Sequence, residues 1–254
     1  ELFSHEREVL YFGPRSIDAV KPLLMETEKL RPTERRIASK YRRVEQPTIY
    51  FLHRDQAKSN VEILVPRKPG QESERVAANL WSNYLSGGMG GLIFQEIREA
   101  RGLAYSAGAW VRTGTFPDDE WAISGSLGTQ GDKTVEALTL MLELLLKHRF
   151  NTEMFEVTKT AMDQEFRADR ISPRWVPAWV RGWDRSGFGG DPRPTWREQT
   201  KSTSIEELQA WTDELVAGTA PVITVVGNRE TVDMEGLAKL GMVIEVQAED
   251  LVSW

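Results

Sequence analysis

The chain has 254 residues, of which 40% are hydrophobic, and it carries a formal net charge of -6. This length is sufficient for one domain with its own core and a fragment of another. The acidic balance disfavours nucleic acid as a partner, because phosphate binding requires a dominant basic field. The absence of cysteine excludes disulfide bonds, thiolate catalysis and cysteine-containing zinc sites. We expect no membrane span, since the longest apolar stretch, residues 137–146, is well short of roughly 20 residues.

The first residues of the chain contain a pattern that returns near its other end. Residues 9–20 (VLYFGPRSIDAV) and 223–234 (ITVVGNRETVDM) both predict a short strand, a Gly-x-Arg turn and the start of a helix. Coincidence is one explanation, since strand–glycine–helix turns are common, and an internal repeat is the other. On the second interpretation, residues 1–30 are the tail of a preceding homologous domain. A charged linker at 31–45 and a complete domain at 46–254 then follow.

The complete domain reads as strands, a helix, two more strands, further helices and a closing strand. In chain order, the pattern predicts strands at 48–53 and 60–66, a helix at 72–85, strands at 104–111 and 121–128, helices at 133–150, 152–170 and 204–216, and a strand beginning at 223. We expect the first two strands to pair around the turn between them. The order predicts an α+β domain with a mostly antiparallel sheet, covered by helices that include a long helical hairpin at 133–170.

Two further segments are candidates for peptide binding. Residues 171–200 contain Trp175, Trp179, Trp183 and Trp196. These tryptophans either line a peptide-binding surface or join the helices to the sheet as core, and core is favoured because aromatic residues dominate packing in most domains. The strand at 121–128 can bind an extended peptide by strand addition only if it is an edge strand.

The stretch GGMGGLIFQEIREARGLAY, residues 87–105, combines a glycine-rich loop, a short helix and the start of a strand. Ile93 and Ile97, four residues apart, give the helix an apolar face. Gly102 lies where a residue in the left-handed conformation ends a helix. Leu103 is then expected to pack back on Ile97, as in a Schellman-type end.

Arg98 and Tyr105 are the candidate catalytic residues in this stretch. A chain reversal at Gly102 brings the last helical turn close to the first strand residues, so both side chains can point at one site. A guanidinium and a phenol both donate hydrogen bonds, which suits them to hold a carbonyl or stabilise a developing oxyanion. The alternative is that Arg98 pairs with a surface carboxylate and Tyr105 fills a strand edge.

Gly87, Gly88, Gly90 and Gly91 are candidate substrate-binding residues, because glycine lets a peptide backbone approach closely. A phosphate-binding loop is the alternative. However, these glycines follow a helix instead of a strand, and no Gly-Lys-Ser/Thr sequence is present.

The segment YLSGGMGGLIFQEIREARGLAYS, residues 84–106, resembles the signature of the C-terminal domains of pitrilysin/insulinase-type zinc metallopeptidases. In that signature a glycine-rich loop precedes a helix ending R-E-x-x-G-L-x-Y. The resemblance implies one half of a clamshell that closes around peptides. It assigns Arg98 and Tyr105 to substrate contact and stabilisation of the tetrahedral intermediate, and it gives Arg101 no catalytic role. This chain has Gly90 and Gly91 where family members often have two serines.

The zinc motif of that family, H-x-x-E-H, is absent from this sequence, whose histidines are His5, His53 and His148. We expect all three to be structural or solvated, with His148 in the last turn of a helix, where the dipole favours its charged form. No cofactor is therefore expected in this segment. The resemblance places zinc in an N-terminal half, in the same chain or in a partner subunit.

The favoured function is that of a non-zinc-binding C-terminal domain, which binds peptide substrate and stabilises the transition state of a zinc metalloendopeptidase. Alone, such a segment would not hydrolyse peptides. The alternative is a non-catalytic relative of the same fold that serves peptide binding or assembly. A hydrolase using a carboxylate pair such as Asp118 and Asp119 is a weaker third interpretation, because that pair is not distinguishable from a solvated turn. The compartment stays open, and the periplasm is suggested only by analogy with large bacterial relatives.

Overall fold

The structure, a computed structural model, describes residues 8–24, 37–218 and 220–251. The predictions for His5 and for residues 31–36 of the linker lie outside the described residues. The strands are β1 (Thr48–His53), β2 (Lys58–Pro66), β3 (Ala104–Arg112), β4 (Ala122–Gln130), β5 (Val222–Gly227) and β6 (Met242–Val246). The α-helices are α1 (Ile17–Leu24), α2 (Arg75–Ser86), α3 (Thr134–Leu146), α4 (Thr152–Ala168), α5 (Val176–Arg185), α6 (Arg193–Ser202), α7 (Ile205–Val216), α8 (Met234–Leu240) and α9 (Ala248–Leu251). A π-helical turn spans Phe94–Glu99.

The six strands form one sheet in the order β3-β4-β2-β5-β1-β6. The α+β class is confirmed, but the sheet is mixed. The pairs β3–β4, β4–β2 and β2–β5 are antiparallel, whereas β5–β1 and β1–β6 are parallel. The parallel part arises because the chain crosses over through helices before β5 and again before β6. Crossover connections of this kind can join parallel strands, whereas a hairpin joins only antiparallel strands.

The predicted pairing of the first two strands is wrong, since β5 lies between β1 and β2. Ile223 of β5 stands opposite Ile49 on one side and Ile63 on the other. All three side chains are fully buried. The apolar strand β5, which comes late in the chain, therefore lies in the interior of the sheet and pairs with a strand on each side.

The helices cover the sheet in the order that the sequence predicts. α2 lies beside β3, α3 packs on β4, and α4 packs on α2 and α6. Gly125 in β4 lets α3 approach, because a Cβ atom there would lie 3.0 Å from the Leu145 side chain. Asn151 caps α4, with its side chain accepting a hydrogen bond from the Met154 N–H. Among the described residues, every helix is too short or too polar to traverse a bilayer.

Helix α2 covers the free edge of β3. The Ser86 hydroxyl accepts a hydrogen bond from the Ala109 N–H at 2.6 Å, and the Ser82 hydroxyl accepts one from the Val111 N–H at 3.0 Å. Two outward backbone donors of the edge strand are thereby satisfied. Strand β4 is an interior strand, so peptide addition to it, as considered for residues 121–128, is excluded.

His148 lies two residues beyond the end of α3, inside an aromatic cluster. Its ring stacks on Tyr84, contacts Phe150 edge-on and lies 6.3 Å from the Trp81 ring. Neither ring nitrogen has a well-formed hydrogen bond. Burial therefore lowers the pKa of His148, an effect that outweighs the nearby Leu144 carbonyl. The expectation that the helix dipole would favour a charged His148 is wrong.

We predict that the free energy of unfolding falls between about pH 7 and about pH 5, and that His148→Phe reduces this fall. The folded pKa of His148 is lowered, so the unfolded chain binds the proton at a higher pH. The stabilising contribution of neutral His148 is complete above the unfolded pKa of about 6.5 and is lost as the pH falls through the lower folded pKa. Urea unfolding of both proteins at the two pH values checks this. An equal fall in parent and variant would contradict it.

Candidate functional site

The predicted short helix of the site is a π-helical turn rather than an α-helix. The Ala100 N–H donates to the Gln95 carbonyl at 2.9 Å, a bond that reaches back five residues. Ile93 and Ile97 are fully buried and anchor the turn in the core. π-helical turns are rare and are frequently found at functional sites.

The turn ends at Gly102, as the sequence predicts, with a φ of 60°. The Gly102 N–H donates to the Arg98 carbonyl at 3.1 Å, and the Leu103 N–H donates to the Ile97 carbonyl at 2.9 Å. The first bond is that of the simpler left-handed end, not the Schellman pair. Leu103 is buried against the core that holds Ile97. The chain then enters β3, so Arg98 and Tyr105 lie on consecutive elements that pack together.

Arg98 lies at the C-terminal part of the π-helical turn with its side chain 53% exposed. Its guanidinium lies 4.9 Å from the centroid of the Phe94 ring, and its Nε is 3.9 Å from a Glu99 carboxylate oxygen. Within the part of the chain that the structure describes, the Arg98 guanidinium donates no hydrogen bond to a protein acceptor, and its nearest ion pair is the contact with Glu99. The stacking on Phe94 orients the guanidinium, and its planar set of donors stays available to a ligand.

Tyr105 is the second residue of β3, at a register irregularity between Ala104 and Ser106. Its ring is 52% exposed. The Gln130 side-chain amide donates a hydrogen bond to the Tyr105 hydroxyl oxygen at 3.1 Å. The Lys58 ammonium lies 4.6 Å from the ring centroid. Since Gln130 occupies the acceptor side of the hydroxyl, the phenolic proton is left to donate to a ligand.

The structure brings Arg98 and Tyr105 onto neighbouring elements but does not join them. Across the described ranges, no hydrogen bond or cation–π contact links the two side chains. Gln130 and Lys58, which hold Tyr105, were not found by the sequence reasoning. They come from β4 and β2, and only the strand register places them beside β3.

The four predicted glycines have two different environments. A Cβ atom at Gly87 would lie 2.4 Å from the Asn83 carbonyl oxygen, and one at Gly91 would lie 2.8 Å from the Leu85 carbonyl oxygen. These two glycines allow the loop to pack on α2. Gly88 has a φ of 67°, and a Cβ atom at Gly88 or Gly90 would meet nothing within 4 Å. Gly88 and Gly90 therefore present bare backbone to the surroundings.

A groove of about 470 Å³ lies between this loop and α4. Apolar side chains of α4, among them Met154, Val157 and Ala161, form one wall, and Gly88 and Gly90 form part of the other. Glu165 also lines it. The groove joins the predicted substrate-binding loop to an apolar face of α4.

The tryptophan-rich segment is only partly core. Trp196 packs against the core, and its ring meets Phe188 edge-on. Trp175, directly before α5, and Trp179, on α5, are 58% and 47% exposed. The favoured core interpretation is therefore wrong for these two residues.

Metal-binding groups are not clustered in the described residues, where no three His, Cys, Asp or Glu side chains are placed to hold a metal ion. His53 ends β1, and its Nδ1 accepts a hydrogen bond from the Arg229 N–H. Asp119 accepts hydrogen bonds from the Ser39 and Phe116 N–H groups, so its contacts are those of a structural carboxylate. These residues do not fit a zinc site.

Comparison with known proteins relates this arrangement to one family. Residues 10–162 match the family described as the peptidase M16 inactive domain. A search of curated proteins finds no match.

Solved structures share the fold at low sequence identity. A peptidase M16 inactive domain from Pseudomonas fluorescens is 15% identical with a TM-score of 0.63, and the match covers 74% of this chain and 46% of that one. A protease from Helicobacter pylori is 16% identical with a TM-score of 0.62, covering 84% and 53%. The periplasmic protease PqqL from Escherichia coli is 13% identical with a TM-score of 0.62, covering 85% and 25%. This chain thus spans about half or less of the length of these proteins.

Proposed function

Because this chain belongs to the peptidase M16 inactive-domain family, we propose that it is the non-zinc-binding C-terminal domain of a zinc metalloendopeptidase. In this role it binds peptide substrate and supplies transition-state stabilisation to an active site on an N-terminal half. That half belongs to the same chain or to a separate subunit. The proposed partners of this domain are therefore the peptide substrate and the half that carries zinc.

The observation that carries the proposal is the environment of Tyr105. Its hydroxyl oxygen accepts a hydrogen bond from the Gln130 side-chain amide, which leaves its own proton available to donate to a ligand. The Lys58 ammonium over the ring adds positive charge to the same side of the sheet. A phenol held in this way is suited to donate to an oxygen on which negative charge develops.

Arg98 supplies the second donor of the proposal. Its position on the element before β3 and its free guanidinium donors suit it to hold a substrate carbonyl. The bare backbone of Gly88 and Gly90 lets an extended peptide lie close to the loop. Together these groups bind and orient a peptide bond, and they complete no hydrolytic reaction by themselves.

Zinc belongs to the proposal only through the N-terminal half. The described residues of this chain include no group of three His, Cys, Asp or Glu side chains that could hold the metal. The domain arrangement of the proposal keeps residues 1–30 as the tail of a preceding homologous domain, 31–45 as the linker and 46–254 as the complete domain. The described part of the linker lies against this domain, with the Tyr41 N–H donating to Glu120 and the Arg43 guanidinium 2.8 Å from it.

The proposal is tested by Arg98→Gln in the intact zinc-containing enzyme. We expect kcat/KM for peptide hydrolysis to fall about 10- to 100-fold, since a hydrogen bond from a charged group contributes about 1.5–3 kcal/mol. Arg101→Gln is the matched control, because Arg101 is similarly exposed and has a similar carboxylate contact, with Glu96 4.0 Å away, but the resemblance gives it no catalytic role. The control should keep the parent kcat/KM.

Equal kcat/KM for the Arg98→Gln and Arg101→Gln enzymes would contradict the catalytic part of the proposal. The domain would then have the alternative function considered from the sequence, a non-catalytic peptide-binding or assembly unit. Gly88 and Gly90 can also be replaced by alanine. If the affinity for the peptide substrate is then unchanged, the proposed peptide-binding role of the loop is wrong as well.

A further inference from the structure

Exposed apolar side chains are concentrated in two short segments of the described residues. Six of the large ones lie within 9–23, and four lie within 175–180 on or next to α5. Scattered single apolar residues on a surface need no explanation, but a contiguous patch marks an interaction site.

Helix α5 has its apolar side turned outward. Trp175, Val176, Trp179 and Val180 are between 42% and 58% exposed, and we call these four residues the aromatic face. None of the residues of α5 is buried. A surface helix normally directs its apolar side to the core of its own domain. The reversed orientation indicates that another surface covers the aromatic face.

The segment at 8–24 has the same property and touches α5. Phe12, Ile17 and Leu23 are 59%, 75% and 64% exposed, so the apolar residues of this segment do not pack on the described domain. Glu8 forms ion pairs with Arg181 and Arg185 on α5. Exposed ion pairs contribute only about 0–1 kcal/mol, so Glu8 indicates position but does not hold the segment by itself.

We propose that the aromatic face is the surface on which a preceding domain of the same fold packs, the domain that residues 9–24 complete. This rests on the domain arrangement proposed above. The strand–Gly-x-Arg–helix pattern of residues 9–20 matches that of residues 223–234, which in this domain form most of β5, the turn after it and the first residue of α8. Residues 8–12 are not part of any strand in the described structure, as expected for a closing strand whose neighbours lie in another domain.

Three observations favour this occupant over others. The solved structures matched by most of this chain extend to about twice its length, which leaves room for a second domain of similar size. The Glu8 ion pairs place the end of that domain beside α5. A groove of about 400 Å³ between α5 and residues 113–115 offers space for side chains of the partner surface. Tryptophan is enriched among the residues that contribute most to protein interfaces.

The test uses the longer protein that contains the upstream domain, with a specific protease site inserted between Leu30 and Arg31. After cleavage, the two fragments should remain associated, and their dissociation constant is measured by analytical ultracentrifugation. We expect Trp175→Ser combined with Trp179→Ser to weaken the association about tenfold or more. Trp110→Ser, which removes a tryptophan that is 37% exposed on β3, is the matched control and should leave it unchanged. Thermal unfolding checks that each variant is folded.

Several outcomes would overturn the inference. Fragments of the parent that separate on cleavage, or double-variant fragments that bind as tightly as the parent, would each do so while leaving the role of Arg98 untouched. An upstream sequence that encodes no homologous domain would remove the domain arrangement as well. If the longer protein dimerises and the double variant does not, the aromatic face binds a second copy of the chain instead. If the longer protein co-sediments with phosphatidylcholine–phosphatidylglycerol vesicles and the double variant does not, the aromatic face binds a lipid surface instead.

Discussion

Tyr105→Phe in the intact enzyme is expected to lower kcat for peptide hydrolysis on the order of 10²-fold, the effect of removing one oxyanion donor. The substitution removes only the hydroxyl, and the ring keeps its place beside Lys58. Because the hydroxyl is proposed to act mainly in the transition state, KM should change much less than kcat. Steady-state kinetics on a peptide substrate measure both constants.

The control for this result is the zinc content of the enzyme, which should be the same in parent and variant. Gln130→Ala provides a second comparison, since it removes the amide that orients the Tyr105 hydroxyl but leaves the hydroxyl itself. It should lower kcat by less than Tyr105→Phe does. Unchanged turnover in the Tyr105→Phe enzyme would reject the role assigned to this residue.

Ile97→Ala is expected to cost about 2–5 kcal/mol of the free energy of unfolding, the usual range for truncating a buried isoleucine to alanine. Ile97 is fully buried, and its carbonyl receives the Leu103 N–H that closes the π-helical turn. The truncation therefore leaves a cavity in the core next to the residue before Arg98, close to the point where the chain turns into β3. Urea unfolding of the 254-residue chain measures the loss.

The matched control is Ile17→Ala, the same truncation on α1 at a side chain that is 75% exposed. It should change the free energy of unfolding by no more than about 0.5 kcal/mol, as surface substitutions usually do. A loss of similar size in both variants would mean that the effect comes from helix propensity or from the unfolded chain, and would contradict the packing explanation for Ile97.

Local patterns in the sequence predicted β1 to β5 and the helices α2, α3, α4 and α7, because each depends on neighbours in the chain, whereas α5, α6 and β6 were not predicted. The alternation of β-branched residues located the strands, and the glycine at 102 located the end of the turn before β3. Asn151 caps α4, and the Ser204–Glu207 pair forms a capping box at the start of α7. In each of these cases the deciding contacts lie within a few residues.

The features that the sequence did not predict depend on distant contacts. The insertion of β5 between β1 and β2 follows from how their buried faces fit together, which no local pattern encodes. The partners of Tyr105 are set by strand register, and the pKa of His148 is set by Trp81, Tyr84 and Phe150. The exposure of Trp175 and Trp179 depends on which other parts of the protein contact α5, and the amino-acid composition of the segment does not determine those contacts.

The central position of β5 has a consequence for how the protein is made. Residues 222–227 lie late in the chain, yet they join β1 to β2. During synthesis, β1 and β2 therefore leave the ribosome long before β5. Until β5 follows, the backbone edges that pair with it have no partner. Contacts between such distant residues are formed slowly. A chain that stops before residue 222 would lack β5 and would expose both edges to other molecules, which makes truncation at this end a direct route to aggregation.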